Sequence, residues 1–102
     1  MVNNAGIMAI PKRKVTKDGF EMQWGVNHLG HFYLTSLLWS KISASSFFRV
    51  INVSSLAHKR LLGFFGEPKP DWDNIDYTKN YDPNTAYSSS KLYNVLFTKS
   101  LA

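Results

Sequence analysis

At 102 residues, with 44% hydrophobic and 15% aromatic side chains, the chain has the composition of a packed globular core and not of a disordered tail. It holds no cysteine, which removes disulfides, thiolate nucleophiles and cysteine-based metal sites and fits a reducing compartment. The formal charge of +5 is scattered except at Lys12-Arg13-Lys14 and Lys59-Arg60; with no aromatic platform or zinc-finger spacing beside them, these read as solvated surface and exclude a nucleic-acid partner. No basic start followed by an apolar run marks a signal peptide, and no apolar stretch approaches the roughly 20 residues of a membrane span.

Residues 1–3 read as the end of a buried strand, after which Asn3-Asn4-Ala5-Gly6 turns the chain. A polar, proline-punctuated loop follows. From about Gly19 to Ser43 the pattern is helical: Val26, Leu29, Tyr33 and Leu37 form one apolar row, and Leu34, Leu38 and Ile42 a second. Two rows predict a helix buried on more than one side. Gly25 and Gly30 lower its propensity, marking either a close approach or a break. The β-branched run 49–53 predicts a buried parallel strand ending at Ser54-Ser55.

Residues 56–82, with Gly63, Gly66, Pro68 and Pro70, read as an irregular excursion. Phe64, Phe65, Trp72, Tyr77 and Tyr81 give it apolar surface expected to leave water, either beside a substrate cleft or simply against the core. Asp82-Pro83 is a strong helix start, so 83–101 is predicted helical. Strands alternating with helices indicate α/β layering on a parallel sheet. The opening on a strand end and the uncapped final helix lead us to expect a portion of a longer domain.

Tyr87 and Lys91 carry the sharpest chemical signal. Four apart on a helix, they project from one face with bases roughly 6 Å apart. A tyrosine titrates near pH 10, and a neighbouring ammonium favours its phenolate by about 1.4 kcal/mol per unit of lowered pKa. Such a tyrosine can pass a proton to or from a substrate oxygen, although the same spacing is common in surface pairs. Ser54 and Ser55 follow a strand, where ligands bind in open α/β sheets and where a serine also commonly caps a turn. Asn27 sits in an otherwise apolar helix, so its amide must find partners or hold a water. His28 and His31 have metal-compatible spacing but no carboxylate pair to complete a site. Ser55, His58 and Asp73 lack the strained serine elbow of a hydrolase.

NNAG, Asn27, VSS at 53–55 and YSSSK occur in the order found in the short-chain dehydrogenase/reductase family. The flanking stretches DGFEMQWGVNHLGHFYLTSLL, RVINVSSLAH and AYSSSKLYNVLFTKSLA closely resemble its retinol-dehydrogenase-like branch, including WW-domain-bearing relatives; the match is weakest from about Arg60 to Lys79. The resemblance implies the central portion of a Rossmann-type doubly wound parallel sheet, with residues 1–102 forming a partial domain. It assigns Ser55 to polarising the substrate oxygen, Tyr87 to acid or base catalysis, and Lys91 to lowering the tyrosine pKa and binding the nicotinamide ribose. Asn27 would hold a water in a proton relay towards Lys91, and Asn4, Ala5 and Gly6 would line the adenosine side of the cofactor.

The resemblance further implies NADP as the preferred cofactor, with NAD the alternative, and a hydrophobic alcohol, aldehyde or ketone such as a retinoid, steroid or lipid aldehyde. An intracellular setting, cytoplasmic or at the endoplasmic reticulum, is expected for the parent; membrane association and homo-oligomers are compatible with it. The Gly-rich phosphate turn is expected upstream of Met1 and the substrate-closing segment beyond Ala102. Tyr93 stands where relatives often carry a small residue. Without its flanks the chain is expected neither to bind NAD(P) tightly nor to reduce carbonyls. The competing reading is therefore a truncated, non-catalytic chain acting at most as an interaction module. A nucleotide-sugar epimerase shares Tyr-x-x-x-Lys, but NNAG and VNHLGHF differ from that branch.

Overall fold

The computed structural model describes residues 1–59 and 66–102; Arg60, Phe64 and Phe65, named above, lie outside the described residues. Two strands, β1 (Val2–Asn3) and β2 (Ile51–Asn52), pair in parallel with Val2 opposite Ile51 and Asn3 opposite Asn52. Parallel pairing requires a crossover, and the intervening helical segment supplies it. The expected run 49–53 shrinks to two residues, and within this stretch of chain Val2 is 60% and Ile51 45% exposed. Strand alternation turns the asparagines inward instead. The Asn3 amide donates to Asn52 Oδ1 at 2.7 Å and to Thr35 Oγ1 at 3.2 Å, and Asn52 donates to Thr98 Oγ1 at 3.0 Å. The covered face of this sheet is a polar ladder that ties both strands to the flanking helices.

The first helical segment begins later than its periodicity suggests. Val15 and Glu21 form an antiparallel bridge around a tight turn in which Gly19 takes φ +90, a conformation costly for other residues. Glu21 then caps the helix, its carboxylate accepting from Gln23 N at 2.9 Å and Trp24 N at 2.7 Å. Helix α1 (Met22–Trp24) runs through a π-helical turn (Gly25–Leu29) into α2 (Gly30–Ser43). Gly25 proves to be both the break and the close approach, because a Cβ there would lie 2.7 Å from Thr16 Cγ2. The two apolar rows are not both buried: Tyr33 and Leu37 are 62% and 61% exposed, and Thr35 is the buried residue of α2. Thr35 joins this helix to the polar ladder through Asn3, and Phe32 meets Phe97 of the last helix at 5.0 Å between ring centroids.

Helix α3 (Pro83–Leu101) starts as expected, with Asp82 accepting from Thr85 N at 2.7 Å and Pro83 in the first turn. It packs against α1, the π turn, β2 and a 3₁₀ turn at Leu56–His58. The excursion is irregular and tied down by hydrogen bonds. Tyr77 donates to Ser89 Oγ at 2.9 Å and Tyr81 to the Ile10 carbonyl at 2.7 Å. Gln23 donates to Tyr81 Oη and the Pro83 carbonyl, both at 3.0 Å, and accepts from Ala9 N at 2.8 Å. These contacts make Tyr77 and Tyr81 anchors to the core, whereas Trp72 remains 69% exposed, against expectation. Arg13 also departs from the solvated basic triplet: it pairs with Asp76 at 2.5 Å, and Asp76 in turn accepts from the Glu21 amide.

The glycine requirement at position 25 is testable in the full-length gene product. Gly25→Ala is expected to cost about 1–3 kcal/mol in urea unfolding through overpacking on Thr16. Adding Thr16→Ser, which deletes the opposing methyl, should recover most of that loss; no recovery would contradict the packing.

Candidate functional site

Three segments converge where the motifs predicted a site. The turn after β1 brings Asn4, Ala5 and Gly6 to the surface, and a Cβ on Gly6 would stand 3.2 Å from Lys91 Nζ and 3.5 Å from Asn27 Oδ1. Lys91 and Tyr87 share a face of α3, with Nζ over the tyrosine ring at 5.8 Å from its centroid. Lys91 is only 5% exposed, and that burial lowers its pKa from the ordinary lysine value. A side chain at position 6 would therefore press on the ammonium, which would have to give by a few tenths of an ångström.

Asn27 makes that approach possible. It is fully buried in the π turn, where Oδ1 accepts from Ile7 N at 2.8 Å and Nδ2 donates to the Ile7 carbonyl and to Ser90 Oγ, both at 2.9 Å. One side chain therefore satisfies both main-chain groups of Ile7, the residue after Gly6, and fastens them to α3 one position before Lys91. An amide is required for this because it alone offers a donor and an acceptor side by side.

Ser54 and Ser55 follow β2 as predicted, and they divide the work. Ser54 donates to the Lys91 carbonyl at 2.7 Å, joining the strand end to α3. Ser55 Oγ accepts from Ala57 N at 3.2 Å and so caps the 3₁₀ turn, which leaves its hydroxyl hydrogen for another acceptor. His58 Nδ1 contacts the Ser55 carbonyl. His28 Nδ1 contacts Asn94 Oδ1 at 3.0 Å and His31 Nδ1 the Asn27 carbonyl at 3.1 Å; among the described residues no cluster suited to a metal occurs.

Sequence reading missed Ser90 and Asn94. Three consecutive serines inside a helix, where serine is a poor helix former, were the available signal that this face is buried: Ser88, Ser89 and Ser90 are 0%, 0% and 1% exposed. Tyr93 lies on the other side of α3, against His28 and Trp72, with ring centroids 5.6 and 5.9 Å away.

Across all of its length the chain is 50% identical to human retinol dehydrogenase 13 and to human retinol dehydrogenase 11, of which it covers 29% and 30%. The curated relatives that match along its whole length are retinol dehydrogenases, members of the short-chain dehydrogenase/reductase family. Human retinol dehydrogenase 12 is 48% identical over the same span. The chain spans about 30% of the length of these curated relatives. A crystal structure of an uncharacterized protein from Mycobacterium paratuberculosis superposes on 98% of the chain with a TM-score of 0.81 and 44% identity, using 33% of that protein. No family model matches the chain. Among the described residues, no helix is long and apolar enough to cross a membrane.

Burial pushes the Tyr93 hydroxyl up to about 12. The folded chain then keeps this proton after the unfolded chain has lost it near pH 10, so stability falls as pH rises from about 10 to about 12. Tyr93→Phe should flatten that decline by about 2–3 kcal/mol in unfolding measurements across the interval. Identical alkaline slopes in the two proteins would refute the assignment.

Proposed function

We propose that the chain carries the central part of an NAD(P)-dependent oxidoreductase interconverting a hydrophobic alcohol and its aldehyde or ketone. The observation that carries the reading is the meeting of Gly6, Asn27 and the Lys91 ammonium, a cradle that a single Cβ would fill. Its donor set suits a dinucleotide: exposed main chain at Asn4–Gly6 for the adenosine side, and a buried ammonium to bind ribose hydroxyls. The preferred nucleotide in this reading is NADP, and the complete domain is a Rossmann-type doubly wound sheet of which residues 1–102 form one part. The hydrophobic substrate class follows the similarity to retinol dehydrogenases.

The bound nicotinamide supplies or accepts the hydride. Everything else falls to side chains. In the reducing direction the Tyr87 hydroxyl gives its proton to the substrate oxygen, and the resulting phenolate is stabilised by the Lys91 ammonium across their shared helix face. Ser55 donates its free hydroxyl hydrogen to the same oxygen, holding the carbonyl towards Tyr87. Asn27 keeps the Gly6 turn against Lys91 and stands beside the water path that returns a proton to that lysine. In oxidation the same groups run in reverse, with Tyr87 as base.

The full-length gene product should reduce a hydrophobic aldehyde with NADPH. Tyr87→Phe keeps the ring and removes the proton donor, so kcat is expected to fall by about 10²–10⁴-fold with nucleotide affinity nearly kept. Lys91→Ala should weaken nucleotide binding, since it removes the buried ammonium that would hold the ribose hydroxyls. Normal turnover by Tyr87→Phe would defeat this mechanism.

A further inference from the structure

Asn94 lies three residues beyond Lys91 on α3, is 2% exposed, and belongs to none of the motifs that suggested the site. Its Nδ2 donates to the Asn27 carbonyl at 2.8 Å and to the Val53 carbonyl at 3.1 Å. Those two bonds use both amide hydrogens, and both partners are acceptors only, so the amide cannot be turned over without losing them. Oδ1 therefore faces His28 Nδ1, 3.0 Å away, and that ring nitrogen must carry a proton. Burial holds His28 towards its neutral form, in which that proton sits on Nδ1.

Each partner leads into the site. Asn27 holds Ile7 and with it the Gly6 turn. Val53 is two residues before Ser55, and between them Ser54 donates to the Lys91 carbonyl. The π turn matters as well: it is one residue wider than an α turn, and an Asn27 carbonyl there is reached by a side chain of the neighbouring helix.

We propose that Asn94 is a positioning residue: its amide sets the Asn27 turn and the Ser55 strand end at working distance from Tyr87 and Lys91, with His28 locking the amide's orientation. This role rests on the oxidoreductase reading above. Only an amide meets the demand. Aspartate offers no N–H to two carbonyls, and leucine fills the volume while removing both amide donors and the acceptor of the His28 N–H.

The test compares Asn94→Asp, Asn94→Leu and His28→Phe with the wild-type full-length gene product, by steady-state kinetics per folded molecule and by NMR titration of His28. Asn94→Asp and Asn94→Leu are expected to lower kcat by about tenfold or more while the nucleotide KM stays within about threefold, because alignment is lost and the Gly6–Lys91 contact is kept. His28→Phe keeps both carbonyl bonds and should show a smaller loss in the same direction, which serves if the Asn94 variants fail to fold. In Asn94→Asp the His28 midpoint should rise, since a carboxylate beside Nδ1 favours the imidazolium. An unchanged kcat in variants of an active wild type would overturn the positioning role and leave the oxidoreductase reading standing. An unmoved His28 midpoint would overturn the contact itself. A wild type with neither turnover nor nucleotide binding would remove the oxidoreductase reading and this role together.

Discussion

The buried Asn27 amide is the joint on which the described structure turns. It closes both main-chain groups of Ile7 with one side chain and passes a third bond to Ser90 on α3. Removing it would strip both part-buried main-chain groups of Ile7 of these partners. More importantly, nothing else among the described contacts fastens the Gly6 turn to the helix that carries Tyr87 and Lys91. The joint is therefore structural and functional in the same atoms.

Buried amides cross-link the elements of this stretch of chain. Its buried hydrophobic residues are small or few, Ala57, Tyr77, Ala86, Tyr93 and Phe97, while Asn3, Gln23, Asn27 and Asn94 are buried and bonded across elements. Amides give direction where apolar contacts do not, since each bond fixes distance and angle between two backbones. A polar core of this kind contributes little net stability per bond, but it sets register closely.

Local chemistry was legible in the sequence wherever one residue determined it. Asp82-Pro83 announced the start of α3, and the four-residue step from Tyr87 to Lys91 announced a shared face. Burial was not legible in the same way. The apolar rows of α2 carry the right period, yet Tyr33 and Leu37 face outward because period reports which residues share a side and not what covers that side. In the strands, Val2 and Ile51 looked like core, and Asn3 is the buried strand residue instead. Asn94 stayed hidden for a related reason: its role consists of bonds to residues 41 and 67 positions away, which no local pattern encodes.

The central claim is that Gly6, Asn27 and Lys91 together form the nucleotide cradle, and Gly6→Ala in the full-length gene product tests it most directly. Calorimetric titration with NADPH and NADH would be set beside circular dichroism of the same samples. The added methyl comes within 3.2 Å of Lys91 Nζ, so the ammonium must shift. The account predicts nucleotide binding weakened by about tenfold or more with secondary structure intact. A folded Gly6→Ala protein that binds both nucleotides as tightly as the wild type would contradict it.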